Sequence, residues 1–252
     1  VLDASKVGTD IGGLDENETI SISGAVSVSQ LNNISGKTSG AVTATVNDGV
    51  DALLGITETT NSLTLIVNDT VVDAAKLITL DNKMTEAINF ANGVTTLSGT
   101  LADINTVFAS AGIDTAEAAD GLGLKAVTVT DSITKDELNA LDDKTQGVIT
   151  ATISDTTLDK LKLLTDDHSN NVLTINVTGN SANDSKVLAD DVHDVADLTA
   201  GIVTIDSSVT KMTGTMAEVT NVVDANNTAL NIAGLSTLAV DITSNADGST
   251  TA

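Results

Sequence analysis

The chain is internally duplicated, and nothing else in it constrains the fold as strongly. Leu31 to Asp48 reads LNNISGKTSGAVTATVND, and Leu138 to Asp155 reads LNALDDKTQGVITATISD, an ungapped correspondence 107 positions apart. Lys37-Thr38-Ser39-Gly40 matches Lys144-Thr145-Gln146-Gly147, and Val42-Thr43-Ala44-Thr45-Val46 matches Ile149-Thr150-Ala151-Thr152-Ile153. Further on, Ser62 to Val67 parallels Val172 to Val177, and Val94 to Ile104 parallels Val209 to Val219. Ala126-Val127-Thr128-Val129-Thr130 is echoed by Ala239-Val240-Asp241-Ile242-Thr243. Two copies of a unit of roughly 110 residues fill most of the chain, the mark of a repeat architecture.

Each copy is itself subdivided. Runs with period-2 alternation recur near Ile20, Val42, Leu65, Val94, Val127, Ile149, Leu173, Val203 and Val240. They are rich in β-branched residues, which suit a pleated surface, and apolar residues alternate with Thr or Ser, so one face is inside and one is wet. Helix starts lie between them. Thr134-Lys135-Asp136-Glu137 has the capping-box pattern, with Ser27-Val28-Ser29-Gln30 in the equivalent place; Thr215 to Glu218 and Thr100 to Asp103 form a second pair. The pattern predicts a mainly β fold, a parallel β-solenoid of stacked coils with short interspersed helices. The competing arrangement is a pair of tandem β-sandwich domains, which the scarcity of aromatic residues argues against. The expected organisation is an entry segment or continuation of a preceding repeat at 1–19, repeat units at 20–126 and 127–243, and a tail or linker at 244–252.

Composition removes several functions. The 252 residues carry 35 acidic and 11 basic side chains, all the latter lysine, for a net charge of -24. That charge repels phosphate, so nucleic acid is not an expected partner. Arginine, cysteine, proline, tryptophan and tyrosine are absent. There is thus no bidentate guanidinium fork, no thiolate chemistry and no strong stacking platform. Hydrophobic residues make up 41%, and mean hydropathy is +0.18, values of a chain that folds. No run is apolar enough for membrane insertion. The N-terminus, with neither an initiator Met nor a signal peptide, and the loop-like C-terminus are expected of a processed chain or a piece of a longer protein.

The phrases GLGLKAVTVTD (Gly121 to Asp131), LNALD (Leu138 to Asp142) with Thr145-Gln146-Gly147, and LSGTLADI (Leu97 to Ile104) resemble the LTGTAADV … GLGNEAVTLTD … LNTLDGNTTG repeats. Those occur in very large extracellular proteins of marine bacteria and cyanobacteria and in structural, fibre-like proteins of cyanophages. The resemblance covers most of residues 20–243, and the spacers here are irregular. It implies acidic, secreted or virion-exposed, elongated modules with no catalytic residues to carry over.

Candidate chemistry is sparse. His168 and His193 are the only imidazoles, and no G-x-S-x-G elbow, phosphate-binding loop or H-E-x-x-H helix accompanies them. Asp48, Asp69, Asp142, Asp143, Asp166 and Asp167 stand in Asp/Asn-rich turns, where hard oxygen ligands suit Ca2+; ordinary Asx turns and helix caps use the same residues. Thr-x-Thr pairs at Thr43/Thr45, Thr128/Thr130 and Thr150/Thr152 would suggest ice binding only in uninterrupted ranks. Lys37 and Lys144 recur at a turn position. The expectation is a non-catalytic structural or adhesive segment of an extracellular filament, surface layer or stalk. A phage fibre or virion appendage, and a calcium-dependent binding module, are the alternatives. No cofactor beyond Ca2+ is expected. The expected partners are further copies, neighbouring repeats or a cell surface.

Overall fold

In the computed structural model, residues 1–7, 17–58, 60–118, 121–165, 171–228 and 230–243 are described. The chain divides into two compact units, Val1–Ala126 and Val127–Ala252.

Unit 1 runs β1 (Leu2–Asp3), β2 (Ile20–Val26), α1 (Val28–Ser35), β3 (Val42–Asp48), α2 (Val50–Leu53), β4 (Ser62–Val67) and β5 (Val71–Asp73). It continues through α3 (Ala74–Lys83), β6 (Ile88–Phe90), β7 (Thr96–Gly99) and α4 (Leu101–Ala109). Strands β1, β2, β3, β4 and β6 neighbour one another in that order, and β5 pairs with β7; every pairing is parallel. Unit 2 contains β8 (Ala126–Ile133), α5 (Lys135–Asp142), β9 (Ile149–Ile153), α6 (Leu158–Leu161), β10 (Val172–Val177) and β11 (Lys186–Leu188). After these come α7 (Ala189–Asp197), β12 (Ile202–Ile205), β13 (Lys211–Gly214), α8 (Met216–Thr228), β14 (Ile232–Ala233) and β15 (Ala239–Ile242). Its strands lie in the orders β8-β9-β10-β12-β14 and β11-β13-β15, again all parallel.

Parallel neighbours need a crossover, and most crossovers here carry a helix. The fold is therefore mixed α/β, with parallel sheets and eight α-helices among the described residues. This corrects the expected mainly β solenoid, and it equally excludes tandem β-sandwiches, whose sheets would be antiparallel. The capping signals were legible, but the helices form the layer that closes the core rather than ornaments on a β-coil.

The packing rule is simple. Strands alternate: Val42, Ala44 and Val46 are buried while Thr43 faces solvent, and Ile149, Ala151 and Ile153 are buried while Thr150 and Thr152 face solvent. All eight helices bury at least one i, i+3 pair: Leu31/Ile34, Val50/Leu53, Leu77/Leu80, Ile104/Val107, Leu138/Leu141, Leu158/Leu161, Val192/Val195 and Val219/Val222, with Val28, Ala74 and Ala189 extending the row in α1, α3 and α7. Residues three apart lie on one side of a helix, so each helix rests on the core by a single narrow stripe. A layer one branched side chain deep is filled by Leu, Ile and Val, which accounts for the scarcity of aromatics; Phe90 is the buried exception. Parallel sheets are usually covered on both faces and read as continuous apolar runs. Here the second face is wet, and Thr, Ser and Asn predominate on it, as at Thr43, Ser62, Thr64, Thr150, Thr174 and Asn176.

The duplication extends to irregularities. The β2/β3 register shifts between Ser21 and Ala25, and the β8/β9 register shifts between Thr128 and Ser132, each 107 positions on. The capping boxes form as the sequence predicts. Ser27 accepts from Gln30 N–H, Thr134 accepts from Glu137 N–H, and both partner side chains return to the cap backbone. Thr134→Ala is expected to cost about 1 kcal/mol. Leu138→Ala, at a fully buried position, is expected to cost about 2–5 kcal/mol. Urea titrations followed by circular dichroism measure both.

Candidate functional site

The polar side chains that recur between the copies converge on one task, joining each strand and its crossover helix, here called a coil, to the next such α/β unit. Three joints repeat.

The first lies at strand starts. Asn61, just before β4, accepts from the Val42 N–H at the head of β3 through Oδ1 (2.9 Å) and donates to Ser35 Oγ (3.0 Å). In unit 2, Asn171 accepts from the Ile149 N–H (2.8 Å) and donates to Asp142 Oδ1 (3.1 Å). One coil later a threonine takes this place: Thr199 Oγ1 accepts from the Leu173 N–H (2.9 Å) and donates to the Asn171 carbonyl (2.7 Å). Asn61, Asn171 and Thr199 are all buried, so these bonds replace water that cannot reach the strand heads.

The second joint lies at helix starts. Asp48, ending β3, accepts from the Val28 N–H of α1 (3.1 Å). Asp69 accepts from the Val50 N–H of α2 (2.6 Å), and Asp155 from the Lys135 N–H of α5 (2.9 Å). Each carboxylate thus meets the positive end of the helix in the preceding coil. The Lys160 ammonium, 2.8 Å from Asp155, and the Lys135 N–H hold the Asp155 carboxyl below its ordinary value of 3.8.

The third joint is a fork from helix to turn. Asn32 on α1 donates to the Gly55 carbonyl (2.8 Å) and accepts from the Thr57 N–H (3.2 Å). Asn139 on α5 does the same with the Leu163 carbonyl (3.0 Å) and the Thr165 N–H (3.1 Å). A Thr/Ser-x-Gly turn accompanies the joints, its hydroxyl accepting from the glycine N–H at Thr38/Gly40, Ser110/Gly112, Thr145/Gly147 and Thr199/Gly201. Glycine is required where the turn touches backbone: a Cβ on Gly40 would lie 2.2 Å from the Glu18 carbonyl oxygen, and one on Gly201 2.0 Å from that of Leu173.

The candidate calcium ligands divide accordingly. Asp48 and Asp69 are helix-capping acceptors, on different coils. Asp142 is buried and accepts from Asn171, whereas its neighbour Asp143 is exposed and closes α5 with its own N–H. Asp166, Asp167 and His168 lie outside the described residues. Among the described residues no group of three or more His, Asp or Glu side chains gathers in a way that would hold a metal ion. His193 is half-buried on α7, with no hydrogen bond to a serine or carboxylate among the described residues. Lys37 and Lys144 sit in the turns after α1 and α5, their N–H groups bonded to the Ile34 and Leu141 carbonyls. The threonine ranks are broken in register: Thr45 stands opposite Ala25, and Thr150 opposite Val172. No helix of the described residues is long and apolar enough to cross a membrane.

The three joints were missed as sites by sequence reasoning, although their signal is the 107-residue offset itself: Asn32/Asn139, Ser35/Asp142 and Asp48/Asp155 are all paired by it. Comparison with protein-family models, with curated proteins and with solved structures finds no match.

Asn171→Ala removes the acceptor for a buried N–H, and a loss of about 1–3 kcal/mol is expected in chemical denaturation. The Asp155 carboxyl is more acidic folded than unfolded, so its stabilisation is full above the unfolded value of 3.8 and disappears as pH falls through the lower folded value. Acid titration of Asp155→Asn is therefore expected to show a shallower loss of stability below that pH than the parent chain.

Proposed function

We propose that this chain is a non-catalytic structural or adhesive repeat segment of an extracellular filament, surface layer or stalk. The observation that carries the reading is the commitment of recurring polar side chains to coil-to-coil joints. Asparagines, aspartates and threonines that would supply acid–base or metal chemistry instead accept from backbone N–H groups, at equivalent positions in both units. A catalytic centre breaks local rules at one place; here the polar pattern is the rule, repeated. The strong acidic balance supports a hydrated outer surface. The resemblance to repeats of large extracellular and virion proteins points the same way.

Location tests this directly. Antibodies raised against the chain, applied to fractions of the producing cells and their medium, are expected to find it in surface-extractable or released material. Recovery solely with cytosolic proteins would overturn the reading.

A further inference from the structure

The sequence contains one Asn-Gly pair, Asn92-Gly93, and it stands in the turn between β6 and β7. An asparagine before glycine carries its own nucleophile. The main-chain nitrogen of the glycine reaches the side-chain amide carbon of the asparagine, and glycine has no Cβ to stand in the way. Asparagines at the joints are withheld from that reaction. Asn61 and Asn171 are buried, and each amide is bonded at both ends. Asn32 and Asn139 are held by their forks. Asn180, which precedes Ser181, accepts from the Leu188 N–H through Oδ1 (3.2 Å) and from the Asp159 N–H through its main-chain carbonyl (2.9 Å).

Asn92 has no such restraint. Both residues of the pair are exposed. Neither the Asn92 side chain nor the Gly93 N–H bonds to another group among the described residues. A Cβ on Gly93 would meet nothing within 4 Å, so water has open access. A single bond closes the turn, from the Val94 N–H to the Ala91 carbonyl (3.0 Å).

The second unit supplies the comparison. Asp206-Ser207-Ser208-Val209 is the equivalent turn, 115 positions on. Its frame is the same. The Ala91 and Asp206 N–H groups donate to the Val67 and Val177 carbonyls (2.8 Å each), and the Val94 and Val209 N–H groups close onto Ala91 and Asp206 (3.0 Å each). Its chemistry differs. Ser207 stands in place of the asparagine, and the Ser208 N–H is taken by Asp206 Oδ1 (2.8 Å). Ala91 has no side-chain acceptor, so the matching nitrogen in unit 1 is left unheld.

We propose that Asn92 is a self-modification site that converts through a cyclic imide to aspartate and isoaspartate, with water as the only co-reactant. The Gly93 nitrogen attacks Asn92 Cγ and gives up its proton. A C–N bond forms, and the side-chain nitrogen leaves as ammonia. Water then opens the ring. Addition at the side-chain carbonyl gives aspartate, and addition at the main-chain carbonyl gives isoaspartate; nothing is oxidised or reduced. Either product adds one negative charge to the turn. Isoaspartate also adds one carbon to the main chain between Phe90 and Val94, which are both buried. The inference is independent of where the chain acts.

Peptide mapping of the whole folded chain, held in mildly alkaline buffer, tests it. Ammonia release and a new acidic band on isoelectric focusing are expected, with both products at residue 92 in the peptide between Lys83 and Lys125. Conversion is expected to be lost in Asn92→Gln. A chain carrying Ser207→Asn with Ser208→Gly is expected to convert at position 207 more slowly than at Asn92, and a further Asp206→Ala is expected to remove the difference. The proposal is overturned by an Asn92 that persists while circular dichroism shows the chain folded. Faster conversion at another asparagine, equal rates at the two turns with Asp206 in place, or aspartate without isoaspartate would overturn it equally.

Discussion

A buried strand must begin somewhere, and its first N–H must find an acceptor at once. In this molecule the acceptor at the heads of β3, β9 and β10 is a side chain borrowed from the following coil: Asn61, Asn171 and Thr199. The rest of the architecture depends on that bond. It lets the chain leave the ladder in a tight turn without orphaning a buried donor. It also fixes the height of each coil relative to the next, because the same asparagine reaches back to Ser35 or Asp142 on the helix before. Sheet, turn and helix are tied at one point, and the helix then needs only a short apolar stripe to stay in place.

Carboxylates extend the same logic to the other end of the strand. Asp48, Asp69 and Asp155 sit 20, 19 and 20 residues after the amides they cap. That near-constant separation is close to the spacing of β3 and β4, whose first residues are Val42 and Ser62. A helix of eight residues or fewer is marginal alone, and α1, α2 and α5 are of that size. Capping by a carboxylate from the following strand's end supplies part of what propensity lacks.

How much of this was legible is best seen residue by residue. The duplication, the capping boxes at Ser27 and Thr134 and the alternation of β3 and β9 could be read directly, because each is a local pattern. The class of the fold could not be weighted correctly. A two-residue stripe such as Val50/Leu53 is too short to generate a distinct helical period, and beside a strong alternation it carries little weight. The aspartates were ambiguous for a different reason. A capping carboxylate and a calcium ligand have the same composition and the same place in a turn. What separates them is the donor 20 residues earlier, visible only when two coils lie side by side. Asn171 and Asn61 were overlooked because a buried asparagine in a polar loop looks like any loop asparagine.

The acid excess follows from this construction as much as from the environment it suits. With 35 carboxylates and 11 lysines, most acids cannot be ion-paired within the chain. Several are bonded to backbone N–H groups instead, an interaction that needs no cation and survives added salt better than an exposed ion pair. Lys76–Asp51 and Lys211–Asp241 are exposed pairs of the weak kind. Cohesion within a unit therefore rests on apolar stripes and backbone-directed polar joints, and the charges left over face water.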